Sequence, residues 1–221
     1  MRADYTDGFT FFEVIITVAL VAIMAVAVAP PLIQSLNENK LNITKSDAEI
    51  LGNAMIAFYR DVGEWPNGDT GSGALERLVS NSRLGGGNNG IPAGDMLVEG
   101  STKWARLAAA GTFNDHLMRN ATDNISRLYM PSDHPHIKPG WNGPYLENSP
   151  LDPWNNPYVA SVRRARSILT NEQAFGREQY TVVVLSAGPN EVFETPYVDD
   201  MFSETFGGDD IGFVGHTAST K

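Results

Sequence analysis

The chain has 221 residues, 42% of them hydrophobic and 19% charged, with 26 acidic against 16 basic side chains and a formal charge of −10. That is apolar material enough for a sizeable core and too much charge for a polytopic membrane protein. The acidic balance argues against nucleic acid as a partner, and zero cysteines exclude disulfides, thiolate zinc sites and cysteine nucleophiles. From Phe9 to Ala29 only Thr10, Glu13 and Thr17 are polar. As a helix, this run is about 32 Å long, close to the ~30 Å hydrocarbon thickness of a bilayer. A secretory signal would begin with a basic stretch and end in a small-x-small cleavage site. Here Arg2 stands against Asp4 and Asp7, and Pro30-Pro31 follows the apolar run. Glu13 needs a reason, because an acid at the centre of a membrane helix costs about 2.5–3.5 kcal/mol, less near an end. Cleavage after Gly8 would give Phe9 a positive amine at a similar depth. One turn apart on one axis, the two groups pair poorly. A neighbouring copy displaced along the axis would pair them well and set the register of assembly.

Gly8-Phe9-Thr10-Phe11-Phe12-Glu13, followed by an unbroken apolar run, resembles the prepilin-peptidase site of type IV pilins and pseudopilins. The resemblance implies cleavage after Gly8, methylation of Phe9 and a glutamate, Glu13, as fifth mature residue. Pro30, twenty-second from Phe9, stands where that family has a helix-kinking proline. The family leader is usually basic, whereas Asp7 precedes Gly8 here.

Ser35 to Arg60 reads as a continuation of the same helix. Leu36, Ile43, Asp47, Ile50, Leu51, Ala54 and Phe58 recur at spacings of three, four and seven, a stripe expected to pack on a sheet. Pro30-Pro31 should kink or locally melt the helix without ending it, since the pattern resumes at once. Gly63-Glu64-Trp65-Pro66 closes it, and Gly68 to Gly73 reads as a loop. Ala74–Val79 reads as a short helical turn, Gly85–Gly90 as a flexible stretch, and Lys103–Ala110 and Asn114–Leu128 as helical.

The last third changes character. Pro144–Leu146 and Tyr158–Val162 read as short strands, and Gln179–Ser186, rich in β-branched residues, as the clearest strand. Trp141-Asn142-Gly143-Pro144-Tyr145-Leu146, then Asp152-Pro153-Trp154 and Asn156-Pro157-Tyr158, then Ser186-Ala187-Gly188-Pro189 before an acidic loop, resemble the major pseudopilin of the type II secretion system. The resemblance covers roughly 8–83 and 141–213.

Between Arg177 and Lys221 there is no Lys or Arg, but there are eight acids: Glu178, Glu191, Glu194, Asp199, Asp200, Glu204, Asp209 and Asp210. Most acidic runs are solvated loops. This one also carries Val192, Phe193, Tyr197, Val198, Met201, Phe202, Phe206, Ile211 and Phe213, too apolar for a solvated tail. Carboxylates gathered beside buried aromatics repel one another unless a cation sits between them. Hard oxygen donors without Cys suit calcium. The resemblance implies a calcium ion held here, with the family's ligand positions falling on Asn190, Asp209 and Asp210. Asn190 replaces the usual aspartate and removes one negative charge; Glu191, Glu194 or Asp200 stand close enough in the chain to restore it. The ion would close the 18-residue loop Glu191–Gly208 where other pilins use a disulfide.

Asp133-His134-Pro135-His136 offers an imidazole pair with no third ligand set, and reads as a loop. Arg163-Arg164 with Arg166 reads as a solvated strand end. No nucleophile elbow, phosphate loop or Ser/His/Asp arrangement is present, so no enzyme is expected.

The resemblance implies an α+β, type IV pilin-like fold: a long N-terminal helix, membrane-spanning in its first half, on a small antiparallel β-sheet with a calcium-stabilised C-terminal loop. The expected divisions are a leader at 1–8, a transmembrane and filament-core helix at 9–30, its amphipathic continuation at 31–62 and a globular domain at 63–221. Within that domain 85–136 is an expected insertion, and 141–213 carries the sheet and the calcium loop. The expected role is that of a pseudopilus subunit at the inner membrane, its domain in the periplasm. Its expected partners are copies of itself, prepilin peptidase, minor pseudopilins and the inner-membrane assembly platform. The rival readings are a type IV pilin of a surface fibre and a monomeric membrane-anchored calcium-binding module.

Overall fold

The computed structural model describes residues 8–63, 65–66, 75, 77–80, 90–105, 110–121, 128–131, 140–161, 179–197 and 205–218. By contacts the chain divides into two units, Met1–Leu41 and Asn42–Lys221. One helix, α1 (Phe11–Val62), spans the boundary between them. It begins at Thr10, whose hydroxyl accepts the Glu13 N–H at 3.3 Å, and stops where Gly63 turns left-handed at φ 80°. There the Gly63 N–H returns to the Tyr59 carbonyl at 2.8 Å, the glycine-terminated helix end read from the sequence. Pro30 and Pro31 lie inside the helix, which runs through them.

In the first unit α1 turns its apolar side chains outward. Its most apolar 18-residue window contains no buried residue, and Leu20, Val26 and Ile33 are all exposed. Such a surface is stable in lipid or against other helices, not in water.

In the second unit the helix has a buried face made of Thr44, Ala48, Leu51, Gly52, Ala54, Met55 and Phe58. Leu51, Ala54 and Phe58 of the expected stripe are on it. Leu36, Ile43 and Ile50 are not; they are more than half exposed, on a different strip of α1. The sequence carries two apolar strips, and small residues such as Ala48 and Gly52 decide which one approaches the sheet. Asp47 lies at the margin, where its carboxylate accepts the Tyr158 hydroxyl at 3.2 Å. Burial raises its pKa, partly offset by that hydrogen bond.

The strands in chain order are β1 (Arg77–Val79), β2 (Ala93–Gly94), β3 (Ala110–Thr112), β4 (Val159–Ser161), β5 (Gln179–Ser186), β6 (Val192–Phe193) and β7 (Ile211–Ala218). The main sheet has the order β3-β1-β4-β5-β7, and β2 pairs with β6 separately. All neighbours in the main sheet are antiparallel except β1 and β3, so the sheet is mixed rather than wholly antiparallel. The fold class is the expected α+β one, a long apolar helix packed on a sheet.

Alternation along the strands gives the sheet two buried faces. Leu78, Tyr158, Ala160, Val182 and Val184 pack against α1 with Phe58, Met55 and Leu51. Val79, Val159, Val183 and Leu185 point the other way, onto Ile91, Trp104, Phe193 and Tyr197. The second face is thus covered by the segment 91–104 and by the acidic loop. On the first face, Gly52 leaves a notch that the Phe213 ring of β7 occupies; a Cβ at residue 52 would collide with it.

Several local expectations change. Residues 77–79 form β1, not a helical turn, because pairing with β4 and β3 decides so short a segment. Pro144–Leu146 joins no ladder, Pro144 having no N–H to give. At Lys103–Ala110 a 3₁₀ turn ends at Lys103 and Ala110 already belongs to β3. Of Asn114–Leu128, residues 114–119 form a π-helical turn that Asn120 ends at φ 52°. Strand Gln179–Ser186 has the expected bounds, and Val159–Ser161 lies inside the expected Tyr158–Val162. Gly68–Gly73, Asp133–His136, Arg163–Arg166 and the acids Glu178, Asp199, Asp200 and Glu204 lie outside the described residues.

Candidate functional site

After β5 the chain turns at Gly188 (φ 63°), where backbone of Asp209 leaves no room for a side chain. This brings Asn190 beside Asp209, whose Oδ2 accepts the Asn190 N–H at 3.0 Å. The Asn190 amide oxygen accepts the Val192 N–H at 2.7 Å, and its amino group donates to Glu194 Oε2 at 3.0 Å. Glu194 Oε2 also accepts the Asp209 N–H at 3.1 Å. The Asn190 side chain thus turns its nitrogen, not its oxygen, towards the Glu194 carboxylate.

Asp210 is buried, and one of its oxygens is well held. Oδ2 accepts the Glu194 N–H at 2.8 Å and the Thr195 N–H at 2.6 Å. The loop closes above it, with Gly207 N–H donating to the Thr195 hydroxyl at 2.9 Å and Asp210 N–H to the Gly207 carbonyl at 3.0 Å. The other oxygens, Oδ1 of Asp209 and Oδ1 of Asp210, are buried and have no hydrogen-bond partner among the described residues. Burial pushes the Asp210 carboxyl up to about 6 against the hydrogen bonds that favour its charged form. Asp209 is raised too, by burial first and then by the neighbouring Glu194 carboxylate.

A buried, partnerless carboxylate oxygen is costly, and two on adjacent residues make a donor set fit for a hard cation. Among the described residues no three acidic or histidine side chains converge on one point. A cation bound here would complete its shell with backbone carbonyls and water, as calcium commonly does with its 6–8 oxygens. Asp209 and Asp210, consecutive in the chain, each carry one such oxygen, and Asn190 reaches Asp209 through its backbone N–H.

The sequence reading passed over two contributors. The Glu194 and Thr195 N–H groups that anchor Asp210 are backbone, so no residue type announces them. Asp152 is the other: Oδ1 accepts the Trp154 N–H at 3.0 Å and the Asn156 N–H at 2.8 Å, and Oδ2 accepts the Ser186 hydroxyl at 2.7 Å. An aspartate binding N–H groups two and four residues on, ahead of Pro and Asn, is a turn signal legible in Asp152-Pro153-Trp154-Asn155-Asn156. It ties that turn to the end of β5.

At the other end of the chain Gly8 and Phe9 precede α1, and Phe9 is 82% exposed. Glu13 is also exposed, three residues after the Thr10 that caps the helix. Thr-x-x-Glu is itself a helix-start pattern, and the half of it formed here is the bond from the Glu13 backbone N–H to the Thr10 hydroxyl. Residues 1–7 lie outside the described ones.

The family model described as Type II secretion system (T2SS), protein G matches residues 121–169. The match supports a pseudopilin. It holds the whole Trp141–Tyr158 run, starts inside the expected insertion 85–136 and ends before the acidic loop. The matched family is a structural component of secretion machinery; among the described residues one helix, α1, is long and apolar enough to cross a membrane, which fits a one-pass anchor. No curated protein and no solved structure matches the chain.

Proposed function

We propose that this chain is the structural subunit of a helical pseudopilus filament of the type II secretion system. Prepilin peptidase cuts after Gly8 and the Phe9 amine is methylated. The subunit rests in the inner membrane with its globular domain in the periplasm, and leaves the bilayer for the filament at the assembly platform. The observation that carries this reading is the outward-facing apolar half of α1 with an exposed carboxylate, Glu13, near its start. A neighbouring copy supplies both things that surface lacks, apolar contact and, from its Phe9 amine, a countercharge. In the second unit Ile43 and Ile50 are exposed too and offer apolar contact of their own. Calcium bound by Asp209 and Asp210 would close the acidic loop on the outer domain.

Glu13→Ala tests the assembly reading. Membrane levels should be unchanged while sheared filaments recovered by sedimentation are lost, since removing one partner of a buried pair costs about 3–5 kcal/mol at every contact. Mass spectrometry of the mature N-terminus should find methylated Phe9. Normal filaments from Glu13→Ala, or a native chain beginning at Met1, would overturn it.

A further inference from the structure

The acidic loop is held from outside by residues that lie before the matched family segment. β2 pairs with β6 in parallel, Ala93 opposite Val192 and Gly94 opposite Phe193. The Asp95 N–H continues the ladder to the Phe193 carbonyl at 2.8 Å. Trp104, 1% exposed, donates its indole N–H to the Thr195 carbonyl at 3.0 Å. Its ring meets the Tyr197 ring edge-on at 4.8 Å between centroids, with Phe193 at 6.3 Å. Gly100, at φ 79°, comes so close that a Cβ there would lie 2.8 Å from the Tyr197 carbonyl. The stretch Val192–Tyr197 is therefore fixed at residues 192, 193, 195 and 197. Between the first and last of these lie the two amides, of Glu194 and Thr195, that grip Asp210.

Thr195 is where the two sets of bonds meet. Its N–H goes to Asp210 and its carbonyl to Trp104. Fixing that residue anchors Asp210 Oδ2 and thereby the direction of Asp210 Oδ1, the buried oxygen without a partner. We propose that the segment 91–104 is a brace that holds the acidic loop ready for a cation, with Trp104 as its positioning residue. This rests on the calcium reading only for what the braced oxygen binds. The brace also accounts for the burial of Ile91 and Trp104 on the sheet face away from α1.

The test uses the whole chain, purified in detergent, with two measurements: amide exchange at Glu194 and Thr195 without metal, and titration with calcium alone. Trp104→Phe keeps an aromatic ring and removes the indole N–H. Met118→Ala, at a half-buried position packed against the core on the helix side of the sheet, serves as the destabilised control. With Trp104→Phe both amides should exchange about fivefold faster, the effect of one hydrogen bond, and calcium affinity should fall by a similar factor. Met118→Ala should lower the melting temperature and leave both readings near native. Native exchange in Trp104→Phe, or equal changes in the two variants, would overturn the brace. If the unaltered protein takes up no calcium, the cation reading alone fails and the exchange measurement still decides the brace.

Discussion

Two buried aspartates close to the end of β5 are treated in opposite ways. Asp152 is 4% exposed, and its two oxygens receive three donors from Trp154, Asn156 and Ser186. Asp210 is 8% exposed and receives two donors, both on one oxygen. Burial raises the pKa of each, and in each the hydrogen bonds pull it back. The turn around Asp152 is complete within the chain. The loop around Asp210 is not, and its neighbour Asp209 repeats the deficiency. A carboxylate with no pair at low exposure is thus not one kind of feature: donor placement, oxygen by oxygen, separates a turn whose carboxylate is answered on both oxygens from a loop whose carboxylate is answered on one.

Three experiments put that contrast at risk. The largest effect belongs to the completed turn. Asp152→Ala strands three donors at once and should cost about 3 kcal/mol in denaturant unfolding, with or without calcium. A calcium-dependent loss would show that Asp152 belongs to the loop. Next, calcium at a hundred times its dissociation constant should stabilise the native chain by about 2.7 kcal/mol in thermal unfolding. Asp210→Asn should abolish that gain, and chelator should remove it from the native protein; chelator without effect would remove the cation.

The smallest effect is the pH slope without metal. Asp210 has a folded pKa of about 6, above the 3.8 of its unfolded form, so between these values the folded state holds the extra proton. Its contribution therefore falls as pH rises from about 4 to 6 and stays low above that. His116 has the opposite sign. Burial lowers it from 6.5 to about 4, so its neutral folded form loses stability as pH falls through that interval. Melting temperatures from pH 4 to 7 in chelator should show Asp210→Asn losing the acid-side gain and keeping the His116 loss. Calcium should erase the Asp210 part in the native chain, and an unchanged slope in Asp210→Asn would refute the assignment.

Legibility followed the range of the interactions. β5 was readable because six β-branched, aromatic and aliphatic residues in a row, Tyr180–Leu185, leave little alternative, and the glycine end of α1 because its cap is local. β1 and β2 were not, since strands of three and two residues exist through distant partners. Along α1, Ile43 and Ile50 drew the eye, but the burial of Ala48 and Gly52 depends on the shape of the sheet. In the acidic loop the charges were visible and their answering amides were not, because a backbone N–H carries no letter. Asn190 was legible as a position, not as an orientation.

The Phe213 ring seated in the notch at Gly52 has a mechanical corollary. An interlocked ring resists sliding along the axis of a rod as well as lifting away from it. A pull or push on α1 would therefore reach the strand that begins at Ile211 directly through this interlock, bypassing the long covalent route from residue 52 to residue 213.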